Sequence, residues 1–259
     1  MLLKAFRNFM IKRTISAKLR NKGMNTFSNY EILKNIRDKA EKLRKQEGRS
    51  HEVLYFHKVD DPYSSLTVEY LDKIQSSFDI TLKPILVGEE DSEAVHEPSL
   101  YNIYCLEDAK RIAPYYGVDF TPAAYPEKEL VELSNSILTA VADERFSEIA
   151  KRVSTAKLEV SKNLDLGNSL RKENGYYFGS AFYYEKELYW GVDRIHHLED
   201  RLIELGVKKD LTNEPVCVPA LESPSTLESD KKVNLYYYPS LNSPYTYVSA
   251  KRVREIRND

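Results

Sequence analysis

Two short stretches combine residue types that could act on an anion. Asp60-Asp61-Pro62-Tyr63-Ser64 follows the apolar run Val53 to His57, and Ser243-Pro244-Tyr245-Thr246-Tyr247 follows the run Leu235 to Tyr238. Proline at a first helical position fixes φ without wasting a donor, so each stretch reads as the opening turn of a helix capped by the residue before the proline. The unpaired N–H groups of such a turn, with about half a positive charge, favour an anion. Ser243 could donate a hydrogen bond to an anion held there. Asp61, in the matching place, would accept the helix amides itself and repel an incoming anion. His57, at the end of its strand near Asp60 and Asp61, could form a small polar cluster with them at the mouth of the site.

The two stretches belong to an internal repeat. A shift of 182 positions lays Val53-Leu54-Tyr55-Phe56 over Leu235-Tyr236-Tyr237-Tyr238, Pro62-Tyr63 over Pro244-Tyr245, and Leu71 and Ile74 over Val253 and Ile256. A second copy of one structural unit therefore starts near residue 233. Residues 233–259 hold only its beginning, too little to bury a core.

The elements that must position these residues follow from periodicity and turn signals. Tyr30 to Glu47 reads as a charge-mixed helix ended by Gly48. Val53 to His57 is a strand, and the helix from Pro62 puts Leu71, Ile74 and Phe78 on one face. Ile80 to Val87 is a second strand, parallel to the first in a right-handed βαβ unit. Residues 97–150 give helical signals throughout and have the size of an insertion. Tyr176 to Tyr184 and Glu187 to Trp190 then read as an antiparallel hairpin around Glu185-Lys186. Asp193 is a suitable cap for a last helix carrying Ile195, Leu198 and Leu202. Residues 207–232, with Pro215, Pro219 and Pro224 and no periodicity, read as a linker.

On these residues the sequence resembles a known group. Ser243 to Tyr247 is similar to the SPYSY opening of the glutathione-dependent 2-hydroxychromene-2-carboxylate isomerases and kappa-class glutathione transferases, within the DsbA-like thioredoxin-fold proteins. Glu187-Leu188-Tyr189-Trp190-Gly191-Val192-Asp193-Arg194 resembles their late ELFWGxDR segment. Ala109 to Val118, with Pro122 to Pro126, resembles their helical insertion. The resemblance covers about residues 51–206 and 233–257. It implies an α/β, thioredoxin-like fold with a helical insertion, of the DsbA and kappa glutathione transferase type, preceded by a helical N-terminal arm. The expected layout is a basic arm over 1–50, a first domain over 51–206, a linker over 207–232 and an incomplete second domain over 233–259.

The same resemblance implies glutathione as cofactor and isomerase or transferase chemistry, with the cofactor's sulfur as nucleophile. Ser243 would stabilise its thiolate, while Asp61 makes the first copy a degenerate, inactive site. Pro62, Tyr63, Ser64, Gly179, Ser180, Asp193 and Arg194, with Pro244 and Tyr245 in the second copy, would bind glutathione or substrate. Gly179-Ser180-Ala181 stands where such folds carry a cis-proline before the hairpin, a departure that removes a preset peptide-pairing backbone. The alternative is a noncatalytic thioredoxin-fold binding or assembly module. Expected partners are a small aromatic molecule or thiol conjugate, and a second such domain within the chain or in another copy.

Composition bounds these readings. With 259 residues, 42% apolar and 30% charged, the chain excludes collagen-like, disulfide-rich and wholly disordered classes. Its net charge of −2 hides an asymmetry: residues 1–50 hold 14 basic and 4 acidic residues, a net of +10, leaving a net of −12 for the remainder. No nucleic-acid partner is expected from that balance. The two cysteines, Cys105 and Cys217, stand 112 positions apart without a CxxC, which excludes an internal dithiol exchange site and a cysteine-rich metal site. Both are expected to be buried small apolar groups or inert surface thiols. No stretch approaches the ~18 apolar residues that span a bilayer. A cytoplasmic location is expected. The basic arm, with Leu2, Leu3, Phe6, Phe9 and Met10 at helical spacing, offers organelle import or peripheral membrane contact as the alternative.

Overall fold

Val53, Tyr55 and His57 alternate with Leu54 and Phe56 along the first strand, and both sets find apolar partners because the sheet is covered on both faces. The computed structural model describes residues 29–88, 97–122, 124–139, 145–153, 164–210, 212–220 and 244–258, with a few short stretches outside these. It divides into two units, residues 44–223 and a second made of residues 1–43 with 224–259.

In the larger unit β1 (Glu52–His57), α2 (Pro62–Ser77) and β2 (Thr81–Leu86) form the expected βαβ unit, with β1 and β2 parallel. β3 (Ala181–Tyr184) pairs antiparallel with β1 and with β4 (Glu187–Trp190), giving the order β2-β1-β3-β4. α7 (Ile195–Glu204) follows β4. This order, with helices inserted between β2 and the β3–β4 hairpin, is a thioredoxin-like fold with a helical insertion. Pro84 is tolerated in β2 because that strand is an edge and needs no N–H on its open side.

One core lies under α2 and α7, where Leu66, Leu71, Ile74, Phe78, Leu198 and Leu202 are buried against Val53, Tyr55 and Phe182. Each such side chain contributes roughly 1.5–3 kcal/mol by leaving water. The opposite face buries Phe56, Val87 and Ala181. The insertion consists of α3 (Pro98–Ile112), a short turn over Ala113–Tyr116, α4 (Lys128–Thr139), α5 (Phe146–Val153) and α6 (Leu164–Glu173). α6 has no counterpart among the expected elements, since Gly167 interrupts its pattern. Gly167 is there because the helix presses on β2: a Cβ would lie 1.8 Å from the Leu86 carbonyl oxygen.

Three expectations are corrected. The strand expected from Tyr176 begins only at Ala181, because Ser180 turns the backbone to φ 51° and Tyr176 to Phe178 leave the sheet for an aromatic cluster. Asp193 does not cap α7: it sits in a 3-10 turn, Val192–Arg194, with its carboxylate on the Arg194 guanidinium at 3.1 Å. Residues 207–220, read as linker, are packed on the domain. Val207 accepts from the Asp79 amide at 2.8 Å, Lys209 donates to Ser77 at 2.9 Å and Cys217 is fully buried. The buried Glu199 carboxylate holds this segment by accepting the amides of Val216 and Cys217 at 3.2 and 3.0 Å. Residues 221–233 lie outside the described residues.

In the second unit α8 (Pro244–Asn258) begins at the proline where the repeat places a helix start. The strand expected over 235–238 is not formed at the described residues 236–239, which have no strand partner to satisfy their backbone groups. The arm's described helix, α1 (Tyr30–Gln46), stops before Gly48, whose φ of 64° a glycine adopts at no steric cost. Most of residues 1–28 lie outside the described residues.

Candidate functional site

The start of α2 is built around one buried carboxylate. Asp61, in extended conformation with Pro62 at the first helical position, accepts the Ser64 amide at 2.8 Å, the Ser64 hydroxyl at 2.7 Å and the Tyr63 amide at 3.4 Å. The helix amides that would attract an anion are therefore occupied by the chain's own carboxylate. Burial pushes Asp61 up to about 6, against the pull of the Ser64 hydroxyl and of Lys58. Lys58 extends beneath the turn to Asp60 at 3.0 Å and Glu90 at 3.4 Å. Burial disfavours its charge, but those carboxylates outweigh burial and raise it overall.

Gly179 and Ser180 close over this turn. A Cβ on Gly179 would stand 2.7 Å from the Lys58 Cβ and 3.2 Å from both Asp61 Oδ2 and Ser64 Oγ, so only glycine fits. Ser180 is buried, with its hydroxyl on that of Thr67 at 2.7 Å. Its φ of 51° is one that proline, locked near −65°, cannot adopt.

Two cavities flank the turn. The smaller, about 380 Å³, gathers Tyr63, Tyr115, Trp190, Asp193 and Arg194. Tyr63 donates to Asp108 at 2.8 Å and stands edge-on to Trp190, while Tyr101, Phe178 and Trp190 stack in sequence. Of these rings Tyr63 and Trp190 line the cavity, with Phe178 stacked behind Trp190, and such aromatic surface suits a flat ring. The Asp193–Arg194 pair lies at the rim, more than half exposed. The larger cavity, about 560 Å³, lies between α2 and the insertion and includes Asp60, Pro62 and His57.

Of the residues singled out from sequence, Asp61, Pro62, Tyr63, Ser64, Gly179 and Ser180 are brought together at one turn. Asp193 and Arg194 share a cavity with Tyr63 but bond to each other. Ser243 lies outside the described residues, and Pro244 and Tyr245 are described only as the start of a helix. His57 does not join Asp60 and Asp61 through a hydrogen bond. It is buried, with Nδ1 on the Tyr55 hydroxyl at 3.1 Å and its ring edge-on to Phe146. Burial lowers it to about 3, so its imidazole is neutral. Sequence reasoning missed Lys58, which pairs with the neighbouring Asp60 and with Glu90, and Tyr101 and Phe178, whose stacking on distant residues carries no spacing signal. Cys105, expected to be inert, is buried near the turn, and burial pushes its thiol up to about 11. Among the described residues no group of His, Cys, Asp or Glu is arranged to hold a metal ion, and no helix is long and apolar enough to cross a membrane.

No protein-family model matches the chain, and no curated protein matches it. Among solved structures it is similar to a 2-hydroxychromene-2-carboxylate isomerase, with 17% identity and a TM-score of 0.45, over 60% of this chain and 96% of that one.

Proposed function

We propose that the chain is a relative of the glutathione-dependent isomerases and kappa-class transferases in which residues 44–223 form a noncatalytic module that binds a small planar aromatic molecule. The observation that carries this reading is the Asp61 carboxylate seated on the amides of Tyr63 and Ser64. A thiolate at about 4 Å from it would meet about 4 kcal/mol of repulsion at an effective dielectric near 20, close to a thousandfold loss of bound anion. Lys58 offsets only part of this, its ammonium being paired with Asp60 and Glu90. The aromatic walls beside Tyr63 and Trp190 support a flat, uncharged ligand. In this reading Ser243 keeps the thiolate-stabilising role that Asp61 has lost, and the module pairs with a second domain of its own kind.

Calorimetric titration with millimolar glutathione tests the reading. The Ser243→Ala chain gives no saturable heat, and adding Asp61→Ser creates it. Saturable heat in Ser243→Ala alone would overturn the assignment of the first domain as inactive.

A further inference from the structure

We propose that the exposed stripe of α1, together with the basic segment before it, docks on an anionic lipid surface. Ile32, Ile36 and Leu43 are 38%, 44% and 44% exposed and recur at helical spacing along one side of the helix. The adjoining side is covered, with Ala40 and Arg44 buried and Leu33 half-buried, so the exposed residues are not the face by which α1 packs. Asn35, Lys39, Lys42 and Gln46 share the outward sector with them; all are exposed and none is an acid. An apolar strip flanked by lysines suits the boundary between acyl chains and headgroups, where the ammonium groups reach the phosphates. Among the described residues no helix is long and apolar enough to cross a bilayer, so α1 lies on the surface. The stripe lines neither cavity flanking α2, which makes this surface independent of the aromatic ligand.

Charge selects the partner. Residues 1–28 hold seven Lys or Arg and no Asp or Glu, with the apolar Leu2, Leu3, Phe6, Phe9 and Met10 among them. Anionic headgroups attract such a segment and repel residues 51–259, at a net of −12, so the attraction is confined to the arm. A second copy of the helix fits the stripe less well. Ile32, Ile36, Lys39 and Leu43 follow one another by steps of four, three and four, the spacing of a coiled-coil seam, and Lys39 stands on that seam with Lys42 beside it. Pairing two copies buries Lys39 among apolar side chains, whereas a headgroup layer leaves its ammonium hydrated and opposite phosphate. A polyanionic chain would engage the lysines but leave Ile32, Ile36 and Leu43 in water. Only a lipid surface uses both kinds of residue.

Co-sedimentation of the full chain with vesicles tests this, using phosphatidylcholine alone or with about 30% phosphatidylserine. The chain binds the anionic vesicles at least about tenfold more tightly than the neutral ones, and raising salt from about 0.05 M to about 0.5 M removes most of that difference. Ile36→Asp, at an exposed position, weakens binding to anionic vesicles at least about fivefold and leaves the circular dichroism spectrum unchanged. Lys39→Glu weakens it at least about fivefold as well. Lys34→Glu makes the same change of charge outside the outward sector and weakens binding less than Lys39→Glu does. Light scattering gives the same molecular mass for wild type and Ile36→Asp. The proposal is overturned if the two kinds of vesicle bind alike or not at all, or if Ile36→Asp binds as wild type does, the result a polyanion site predicts. Equal losses in Lys34→Glu and Lys39→Glu would also overturn it, as would a lower mass for Ile36→Asp, which would make the stripe a seam between copies.

Discussion

Replacing Asp61 by Asn removes a charge while keeping the acceptor that caps α2. The carboxylate is 9% exposed, and the fold raises it from 3.8 to about 6. Because the native value lies above the unfolded one, the native state binds more protons between those pH values, and stability falls as pH rises through the window. At 1.36 kcal/mol per unit, the ionised native carboxylate is held at a cost of roughly 3 kcal/mol relative to its protonated form. An Asn amide oxygen at the Oδ2 position still accepts the Ser64 amide and hydroxyl, and the amide does not titrate. Relative to wild type, Asp61→Asn should therefore gain roughly 3 kcal/mol between about pH 4 and pH 7, worth about 6–12 °C in Tm. The loss of the long Tyr63 contact adds only a constant offset. His57 and Glu199 also titrate in this range, but their contributions are common to both proteins and cancel in the difference. Urea unfolding of the two proteins at several pH values reads the result. Parallel stability curves across that range would refute the account of a buried, charge-strained cap.

Other consequences can be checked independently. Gly167→Ala places a Cβ against the Leu86 carbonyl oxygen and should cost at least about 3 kcal/mol, seen as a lowered urea midpoint; an unchanged midpoint would mean α6 does not press on β2. Glu199→Ala leaves the amides of Val216 and Cys217 without their acceptor, costing about 2–4 kcal/mol and opening the 212–220 segment to limited proteolysis, which wild type resists there. Cys105 and Cys217 are buried, and burial raises both thiols, so neither should react with Ellman's reagent near pH 8 until denaturant is added. Fast labelling of the native chain would contradict that burial. Trp190→Ala removes the outer ring of the Tyr101–Phe178–Trp190 stack and should weaken a planar aromatic ligand at least about tenfold, with little change in secondary structure by circular dichroism.

The βαβ unit and the cap of α2 were legible because their signals are local: alternation along Val53 to His57, and Asp followed by Pro at one turn. The hairpin was half legible. Its β-prone aromatic run extends from Tyr176, yet Tyr176 to Phe178 cluster together and Phe178 stacks on Trp190 and Tyr101 instead of pairing, a choice that propensity does not encode. The 207–220 segment read as linker because it has no periodicity, whereas it is held by Glu199 from α7, about twenty residues earlier in the chain. α6 escaped notice because a glycine in a helix is a penalty unless another backbone must come close.

By itself the sequence determined the α/β element order, and a shift of 182 positions aligns Asp61 with Ser243. Those properties depend on residue type and short spacing, which a linear chain displays directly. Only the tertiary structure decided that Asp61 is buried on its own helix amides, that Gly179 admits no side chain over it, and that acids from α2 and the insertion line an apolar cavity with His57. Burial sets the cost of a charge, and burial arises from contacts between residues far apart in the chain.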